Sequence, residues 1–526
     1  MRTSFTSSAS VPSGTAVIAI PVASEGPVPA EVGLTRAQLS AMGFEGRCCS
    51  TLALPPAPRS KSARVLVGIG AVKDLDENTM RNIGAAAARA CSRHASMATT
   101  IAGTGRLDRR GAAKAFVEGA ALALHRWAEL KRDKSSVPSL RRIVLVSADA
   151  QVRAGIAEGT AVATAVCTAR DHANTPPSHL TATRFAREAV AIARKSGLRA
   201  TVYDKKQLQA MGCGGIVGVN AGSVEPPRVV KLVWAPAGAT KKVVLVGKGV
   251  MYDSGGISLK PSDASHASMK MDMSGAAAVL GAMSAMRALK VKTHVTAYLM
   301  CTDNLPSGSA MKLGDVLTFR NGKTAEIHNT DAEGRLILAD GLSLGAETKP
   351  DAMVDIATLT GACIGALGKK MAGVLGNDQG VVDQLLASSR RTDELIWQLP
   401  LFTDYRALLD SNVADMKNVG GPFGGAITAA LFLNEFTGGV PWAHLDIAGP
   451  MEADGDNGWL NRGATAFGTR LLIDFAANFQ PVAAKKPAAR KSTARKPATR
   501  KPAAGSTRTT KSTTKKKTTK SKAKTK

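Results

Sequence analysis

The sequence predicts an α/β fold with two domains, each with a mainly parallel or mixed sheet flanked by helices, plus a disordered basic C-terminal tail. Three observations predict this organisation. The chain has 526 residues, which is too long for one hydrophobic core. Helix-like and strand-like stretches alternate along most of it, a pattern typical of proteins with a parallel sheet. The composition changes abruptly at about residue 481.

An N-terminal α/β domain with a ragged leader is predicted over residues 1–165. It contains no cluster of acidic or histidine residues, so we assign no chemistry to it. A helix over about residues 150–172 is expected to lead into a second domain over residues 166–480, whose entry is marked by Pro176-Pro177. The elements predicted within the first domain are strands at 65–67 and 142–147 and a helix at 82–93.

Charged residues follow a predicted strand of the second domain. Residues 243–246 are apolar and mostly β-branched, which is typical of a buried parallel strand. Lys248 and Asp253 are predicted in the loop after this strand. Asp272 is predicted in the first turn of an alanine-rich helix that reaches about residue 289.

The octapeptide at residues 329–336 carries the strongest functional signal. Asp331 and Glu333 are two residues apart, so on an extended turn both carboxylates can address one site. A strand-like stretch precedes them at 325–328, and an apolar helix-like run follows at 336–344. Two carboxylates that close repel each other unless a proton or a cation lies between them. A hard divalent metal is the cation that oxygen ligands suit.

These charged groups are predicted at one edge of the sheet. Strand-to-helix loops in open α/β sheets lie at the carboxyl ends of the strands, where ligands bind. Asp253, Asp272, Asp331 and Glu333 would bring four negative charges to that edge. Two divalent cations would neutralise them, so the sequence predicts a two-metal site.

The same residues lie in longer motifs whose order resembles the leucyl aminopeptidases, the cytosolic two-metal exopeptidases with a C-terminal catalytic domain. The resemblance covers roughly residues 170–475. It implies a metal-dependent aminopeptidase that releases N-terminal amino acids from peptides, with Leu-like first residues preferred. The motifs that carry it are residues 246–249, 253–256, Lys260, 269–272, 329–336, 355–361 and 442–449.

The resemblance also implies a role for each matching residue. Lys260 and Arg335 would be catalytic. The tighter metal would be held by Lys248, Asp253, Asp272 and Glu333. The more exchangeable metal would be held by Asp253, Asp331 and Glu333. The pocket for the first side chain would be lined by Met269, Thr358, Gly361, Ala448 and Met451, with the Leu359 carbonyl accepting a hydrogen bond from substrate.

Elementary chemistry is consistent with these roles. A lysine amine binds metal only when neutral, and a nearby dication lowers the pKa of Lys248. Lys260 should instead stay charged, polarise the scissile carbonyl and stabilise the oxyanion. Mn or Zn is the expected metal, although Mg or Co would suit the same oxygen ligands. The resemblance further implies a bicarbonate held by Arg335 as the base, and a homohexamer.

Each signal has a simpler alternative when it stands alone. Acid pairs in loops are more often solvated or cap a helix, and Asp272 could be a favourable first-turn acid. The glycines around Lys248 lack the spacing of a phosphate-binding loop. Residues 341–345 fit a hydrolase nucleophile pattern, but they lie in a helix-like run, so Ser343 is predicted to be a packed residue. Histidines in positions such as those of His328 and His444 are more often core or strand-end residues than metal ligands.

The tail favours a second hypothesis, a nucleic-acid-binding or regulatory protein built on an aminopeptidase scaffold. Residues 481–526 contain 17 of the 69 Lys and Arg residues and no acidic residue. Such a segment cannot bury enough apolar surface to fold, and it resembles the tails of linker histones. It would bind DNA or another polyanion without reading sequence, or it would simply solubilise the chain. The candidate contacts are Lys485, Lys486, Arg490, Lys491, Arg495 and Lys496.

The remaining features predict a cytoplasmic protein. Seven cysteines, an odd number, favour free thiols over a disulfide framework. No apolar stretch approaches the length of a membrane span, so no membrane partner is expected. The first residues resemble neither a signal peptide nor a cleavage site.

Overall fold

The computed structural model describes residues 3–58, 60–482 and 512–514. It confirms the α/β class, because two large sheets flanked by helices dominate these residues. The domain limits at residues 165 and 480 stay predictions. The tail residues predicted to contact polyanions lie outside the described residues: Lys485, Lys486, Arg490, Lys491, Arg495 and Lys496.

The first sheet has six strands in the order β1-β6-β5-β2-β4-β3, and all neighbours are parallel except β3 and β4. It confirms the strands predicted at 65–67 and 142–147. Its strands are β1 (Ser4–Ser8), β2 (Val17–Ala23), β3 (Thr51–Leu54), β4 (Ala63–Gly70), β5 (Ser96–Thr99) and β6 (Arg142–Val146). The helices of this part are α1 (Arg36–Ala41), α2 (Glu77–Ala90) and α3 (Arg109–Leu124).

The helix predicted at 82–93 is α2, which begins five residues earlier. Asp76 caps it, since its carboxylate accepts a hydrogen bond from the Thr79 backbone N–H at 2.7 Å. The predicted connector is α4 (Ala150–Asn174), which ends just before Pro176. Arg170 on this helix is buried and donates to the carbonyls of Leu122 and Thr465 at 3.1 and 3.0 Å. It therefore joins the α3 end to the C-terminal part of the chain.

The second sheet has eight strands in the order β15-β14-β17-β13-β9-β10-β8-β7, of which β17, β13, β9 and β10 are mutually parallel. Smaller sheets contain β11, β12 and β16, and β18 and β19. The strands are β7 (Arg199–Tyr203), β8 (Arg228–Trp234), β9 (Lys242–Asp253), β10 (His294–Asn304), β11 (Val316–Thr318), β12 (Thr324–Glu326), β13 (Ala352–Ala357), β14 (Ala372–Gly376), β15 (Ile396–Gln398), β16 (Met416–Lys417), β17 (Trp442–Asp446), β18 (Glu452–Ala453) and β19 (Gly463–Ala464).

Helices cover both faces of this sheet, and their apolar sides form its core. None of the helices in the described residues has the length and apolar character needed to cross a membrane. The helices are α5 (Ala182–Ser196), α6 (Lys205–Ala210), α7 (Gly214–Val219), α8 (Ala264–Ser268), α9 (Ser274–Ala285), α10 (Gly334–Ala346), α11 (Gly361–Leu367), α12 (Gln379–Thr392), α13 (Gly425–Asn434) and α14 (Thr469–Asn478).

The structure corrects the local placement of three predicted site segments. Lys248 and Asp253 lie within β9 rather than in a following loop, because β10 and β13 continue the ladder beyond residue 246. Asp272 ends a short 3-10 turn and precedes α9, so it is not in the first turn of that helix. The strand before the octapeptide is β12, which belongs to a small separate sheet rather than the eight-stranded one.

Candidate metal centre

Four parallel strands end with polar residues at the same edge of the eight-stranded sheet. Asp253 and Asn304 are the last residues of β9 and β10 and are direct partners in register. Thr358 follows β13, and Asp446 ends β17. The predicted edge is therefore correct, although strand ends rather than loops supply several of these groups.

Three carboxylates converge at this edge. Asp253, Asp331 and Glu333 each have an oxygen within 4.8 Å of those of the other two. Asp272 joins them through a lysine, because the Lys248 Nζ lies 2.8 Å from both Asp272 Oδ2 and Glu333 Oε1. All four predicted acidic ligands and the predicted lysine ligand are thus brought together.

The second predicted lysine lies on the more open side of the cluster. Lys260 Nζ lies 2.8 Å from Asp253 Oδ2 and 2.5 Å from Asp331 Oδ1. Its side chain is 17% exposed, whereas that of Lys248 is 4% exposed. Lys248 is therefore the more enclosed of the two cations, and Lys260 is the more accessible.

Neutral side chains hold the carboxylates in position. The Asn304 amide donates to Asp253 Oδ1 at 2.8 Å and to the Thr330 carbonyl at 3.0 Å. The Thr358 hydroxyl donates to Asp272 Oδ1 at 2.6 Å. These bonds fix one oxygen of each acid and leave the other oxygen directed into the cluster.

Burial and mutual repulsion destabilise the ionised forms of these carboxylates. Burial, reinforced by Asp253 and Glu333, raises the pKa of Asp272 well above its ordinary value. Burial and Asp253 likewise raise the pKa of Glu333 and of Asp331. Burial lowers the pKa of Lys248. The neighbouring carboxylates of Asp272 and Glu333 outweigh this effect and raise the pKa of Lys248 above its ordinary value.

The cluster fits divalent metal ions. Asp253, Asp272, Asp331 and Glu333 bring four carboxylates together, and among the described residues the ammonium groups of Lys248 and Lys260 pair with them. Two ammonium groups leave an excess of negative charge, and buried negative charges are costly unless further cations neutralise them. Carboxylate oxygens are also the ligands that Mn, Mg and Zn accept. The residues present therefore match the predicted metal site.

The absence of a side chain at Gly334 leaves the space that the Lys248 side chain occupies. A Cβ added at Gly334 would lie 2.7 to 2.8 Å from Cε, Cδ and Nζ of Lys248. We expect Gly334→Ala to displace the amine and weaken metal binding about 10- to 100-fold, the range seen when ligand positioning is lost. Metal titration by calorimetry measures this. Gly361→Ala, whose Cβ would meet no atom within 4 Å, is the control; equal affinity in the two variants would contradict the expectation.

A cavity of about 620 Å³ opens beside the cluster. Asp253, Asp272 and both lysines line it, and its size suits a small ligand. The residues predicted to bind the substrate also line it: Met269, Thr358, Leu359, Gly361, Ala448 and Met451. These residues come from three separate chain segments.

Arg335 lies behind the carboxylates rather than in the cavity wall. Its side chain is buried, and its Nη1 donates to the Asn418 carbonyl at 2.8 Å. Its Nε has no hydrogen-bond acceptor among the residues described. Burial lowers the pKa of Arg335 to about 10, so the guanidinium stays charged at neutral pH.

Sequence reasoning missed several positioning residues. Asn418 accepts from the His328 N–H at 2.8 Å and donates to the Asn329 carbonyl at 2.6 Å, so it holds the octapeptide. Asp446 accepts from the Thr360 hydroxyl at 2.6 Å. Asp446 and Asn304 could have been found, because each is a polar residue at the end of an apolar strand. Asn418 has no such signal.

The structure also tests the simpler interpretations given for Ser343, His444 and His328. Ser343 lies inside α10, is buried and donates to the Ala339 carbonyl at 2.8 Å, so it is a packed residue as predicted. His444 is buried in β17, with Nδ1 2.6 Å from Asp355 Oδ1. His328 pairs with Glu326 at 3.0 Å. Neither histidine joins the carboxylate cluster.

Comparison with known proteins agrees with this geometry. Residues 167–473 match the profile of the cytosol aminopeptidase family, catalytic domain, and residues 31–134 match the N-terminal domain of the same family. The chain belongs to the cytosol aminopeptidase family. The resemblance to leucyl aminopeptidases is therefore confirmed, and the protein is a metal-dependent aminopeptidase, a hydrolase.

Relatives of this chain include two bacterial proteins described as probable cytosol aminopeptidases. The one from Alkaliphilus metalliredigens (strain QYMF) is 39% identical over 85% of this chain and 92% of its own. The one from Chloroherpeton thalassium (strain ATCC 35110 / GB-78) is 45% identical over 68% of this chain and 72% of its own.

A solved structure is also similar. The bottromycin maturation enzyme BotP in complex with Mn is 36% identical and superimposes with a TM-score of 0.82. The match covers 88% of this chain and 99% of that one. The metal in that neighbour agrees with a metal-binding function for this family member.

The raised carboxyl pKa values predict how metal binding depends on pH. Protons compete with metal for Asp272, Asp331 and Glu333, and their pKa values lie above the ordinary range. We expect the rise in melting temperature on adding 1 mM MnCl₂ to be small at pH 5 and to grow towards pH 7.5. Without metal, these groups should destabilise the fold as pH rises, because the folded state binds their protons more tightly.

Differential scanning calorimetry of chelated and reloaded protein measures both trends. An equal Mn-dependent shift at the two pH values would contradict this expectation.

Proposed function

We propose that this enzyme removes Leu-like or Met-like N-terminal residues from peptides by using two divalent ions, Mn or Zn, with Mg or Co as substitutes. The observation that carries the proposal is the convergence of Asp253, Asp331 and Glu333 within 4.8 Å, beside the Lys248 amine. Lys248, Asp253, Asp272 and Glu333 would hold the tighter ion. Asp253, Asp331 and Glu333 would hold the exchangeable one.

The ions would supply the binding of the substrate α-amine and the activation of water near neutral pH. This chain's residues would supply the rest. Lys260 stays protonated, because Asp253 and Asp331 raise its pKa despite burial. Its ammonium would donate to the scissile carbonyl oxygen and stabilise the negative charge that develops there.

Arg335 would hold the anion that accepts a proton from water. Its free Nε and its charge support this role, since a bicarbonate could accept from a guanidinium that the protein has not saturated. We propose bicarbonate as that anion.

The pocket would select the first residue by shape and apolar contact. Met269 and Met451 present flexible thioethers, and Gly361 and Ala448 leave space for a branched side chain. The Leu359 carbonyl would accept a hydrogen bond from the substrate. The Asp446 carboxylate supports this arrangement by accepting from the Leu359 and Ala448 N–H groups at 3.1 and 3.2 Å.

A chelation assay tests the proposal. We expect hydrolysis of leucine p-nitroanilide to disappear after dialysis against a chelator and to return with Mn or Zn. N-acetyl-leucine p-nitroanilide should not be hydrolysed, because its amine cannot bind metal. Full turnover in the chelated protein, or turnover of the blocked substrate, would contradict it.

We also propose that the enzyme works in the cytoplasm as a homohexamer. The family resemblance supports both statements. A segment with several exposed apolar side chains also supports self-association. The exposed residues of that segment include Trp397, Phe402, Tyr405, Val413 and Phe423. Light scattering measures the mass, and a 54.5 kDa particle would contradict the hexamer.

Finally, we propose that the tail tethers the enzyme to DNA or another polyanion. The 17 basic residues and the lack of acids in residues 481–526 support this, because basic residues release counterions from a polyanion. Six tails on one assembly would also act together. Binding should therefore weaken steeply as salt rises.

We expect deletion of residues 481–526 to abolish retention on a DNA column at 50 mM salt and to leave leucine p-nitroanilide turnover within about twofold. Retention of the truncated protein equal to that of the full chain would contradict the tether. A column carrying heparin distinguishes DNA binding from general polyanion binding.

A further inference from the structure

Two adjacent cysteines lie on a turn that the peptidase chemistry does not use. The Ser50 N–H donates to the Arg47 carbonyl at 3.0 Å, so Cys48 and Cys49 are the central residues of a β-turn. Cys49 has a φ of 66°, a conformation that normally requires glycine or asparagine at this turn position. An unusual backbone of this kind is a reason to look for function.

The turn directs both sulfurs to the same side. Side chains of adjacent residues point to opposite faces in an extended chain. Here the Cys48 and Cys49 Sγ atoms are only 3.5 Å apart. The left-handed Cys49 therefore creates a pair of thiols that a strand could not present.

The turn is fastened to strand β4. The Cys49 N–H donates to the Gly68 carbonyl, and the Gly68 N–H donates to the Ser50 carbonyl, both at 2.8 Å. A Cβ at Gly68 would lie only 2.0 Å from the Arg47 carbonyl oxygen, so glycine allows this close approach. The sulfur pair is thus held in place before any ligand arrives.

The thiols are accessible. Cys48 is exposed, Cys49 is half-buried, and the other five cysteines are buried. Both thiols line a cavity of about 1140 Å³ that has Lys369, Glu452 and Asp454 in common with the cavity beside the carboxylates. The two cavities therefore lie next to each other.

We propose that Cys48 and Cys49 form a dithiol site that chelates a soft, thiophilic centre of the class of trivalent arsenic. Two sulfurs bound at about 2.3 Å to one pyramidal trivalent centre, with an angle of about 100° between the bonds, lie about 3.5 Å apart. The Sγ atoms of the protein have this spacing, 3.5 Å. A disulfide would need the sulfurs about 2.05 Å apart, across adjacent Cα atoms closer than disulfides normally join. The geometry favours chelation over oxidation.

The ionisation of the pair supports this assignment. The Cys49 thiol donates to Cys48 and lowers the pKa of Cys48 to about 7, against the opposing effects of burial and Asp76. A thiolate is the form that attacks soft centres. With an aryl arsenoxide, two As–S bonds form, the oxygen leaves as water with both thiol protons, and no atom changes oxidation state.

Phenylarsine oxide is the probe for the full-length protein. We expect each chain to gain one phenylarsenic unit by intact-mass analysis, to keep it in excess β-mercaptoethanol and to release it to 2,3-dimercaptopropanol. Cys48→Ser and Cys49→Ser should each lower the retained fraction about a hundredfold. The single thiol that remains would bind arsenic without the help of a second, intramolecular As–S bond. Thr51→Ala, which alters the same cavity without removing sulfur, should retain the probe like the wild type.

Three outcomes would overturn the proposal. They are no retained adduct on the wild type, retention by either serine variant equal to that of the wild type, or an adduct mapped by peptide digestion to another cysteine. Each serine variant tests the pair independently, so the failure of one to fold leaves the other decisive. Leucine p-nitroanilide turnover by the variants is a separate readout, so this result does not depend on the proposed aminopeptidase details.

Discussion

Replacing Glu333 with alanine is expected to lower kcat/KM for leucine p-nitroanilide by at least about a thousandfold and to remove bound metal. Glu333 is 1% exposed, belongs to the three-carboxylate cluster and lies 2.8 Å from the Lys248 amine. Losing it would remove a ligand shared by both proposed ions. A Lewis-acid contribution of about 4 kcal/mol corresponds to this factor.

Two further variants distinguish the loss of the Glu333 charge from a change in side-chain size and from general destabilisation of the fold. Glu333→Gln keeps the size of the side chain but not its charge, so it should lose nearly as much activity. Glu347→Ala removes a half-exposed acid at the far end of the same helix, where it pairs with Arg320, and should keep activity within about twofold. Metal content by mass spectrometry accompanies each assay. A Glu333→Ala protein with full metal and normal turnover would rule out this site.

Replacing Lys260 with methionine is expected to lower kcat by about a hundred- to a thousandfold while metal content is kept. That range is the loss seen when one donor to a developing oxyanion is removed. Methionine keeps an unbranched side chain that is one atom shorter, and it removes the charge that lies 2.8 Å from Asp253 and 2.5 Å from Asp331. The pKa of Lys260 is raised above its ordinary value, so the wild-type lysine is charged throughout the neutral range.

The split between kcat and KM distinguishes catalysis from binding. Lys260→Met should leave KM within a few-fold, because the ammonium acts most strongly on the transition state. Lys260→Arg should recover part of kcat. Lys369→Met is the control, since Lys369 lines the same cavity but is 66% exposed. Equal rates for the Lys260→Met and Lys369→Met proteins would exclude a catalytic role for Lys260.

The sequence was sufficient for the α/β class and for the identity of the charged cluster. Alternating apolar stretches follow from burial of strands and helices, which is a local property of the chain. The spacing of Asp331, Glu333 and Arg335, together with the order of the motifs, predicted the metal chemistry that the family match confirms. These signals lie in continuous segments, so no knowledge of strand pairing was needed.

Strand pairing decided what the local pattern could not. The apolar run at 243–246 predicted a short strand, but hydrogen bonds from β10 and β13 extend β9 to Asp253. Lys248 thereby becomes a buried strand residue that points its amine at Asp272 and Glu333. A strand pairs with residues that are distant in sequence. The sequence of one strand therefore does not show where its hydrogen bonding to its neighbours ends.

The sequence by itself determined which residues carry charge, that an α/β sheet presents them, and that divalent metal is their natural counterion. Only the tertiary structure decided which neutral groups hold them. Asn304, Asn418 and Asp446 come from three separate segments and meet the site through side-chain hydrogen bonds. Gly334 matters because it faces Lys248 from another element. Such contacts depend on distances between remote segments, which packing sets and local composition does not encode.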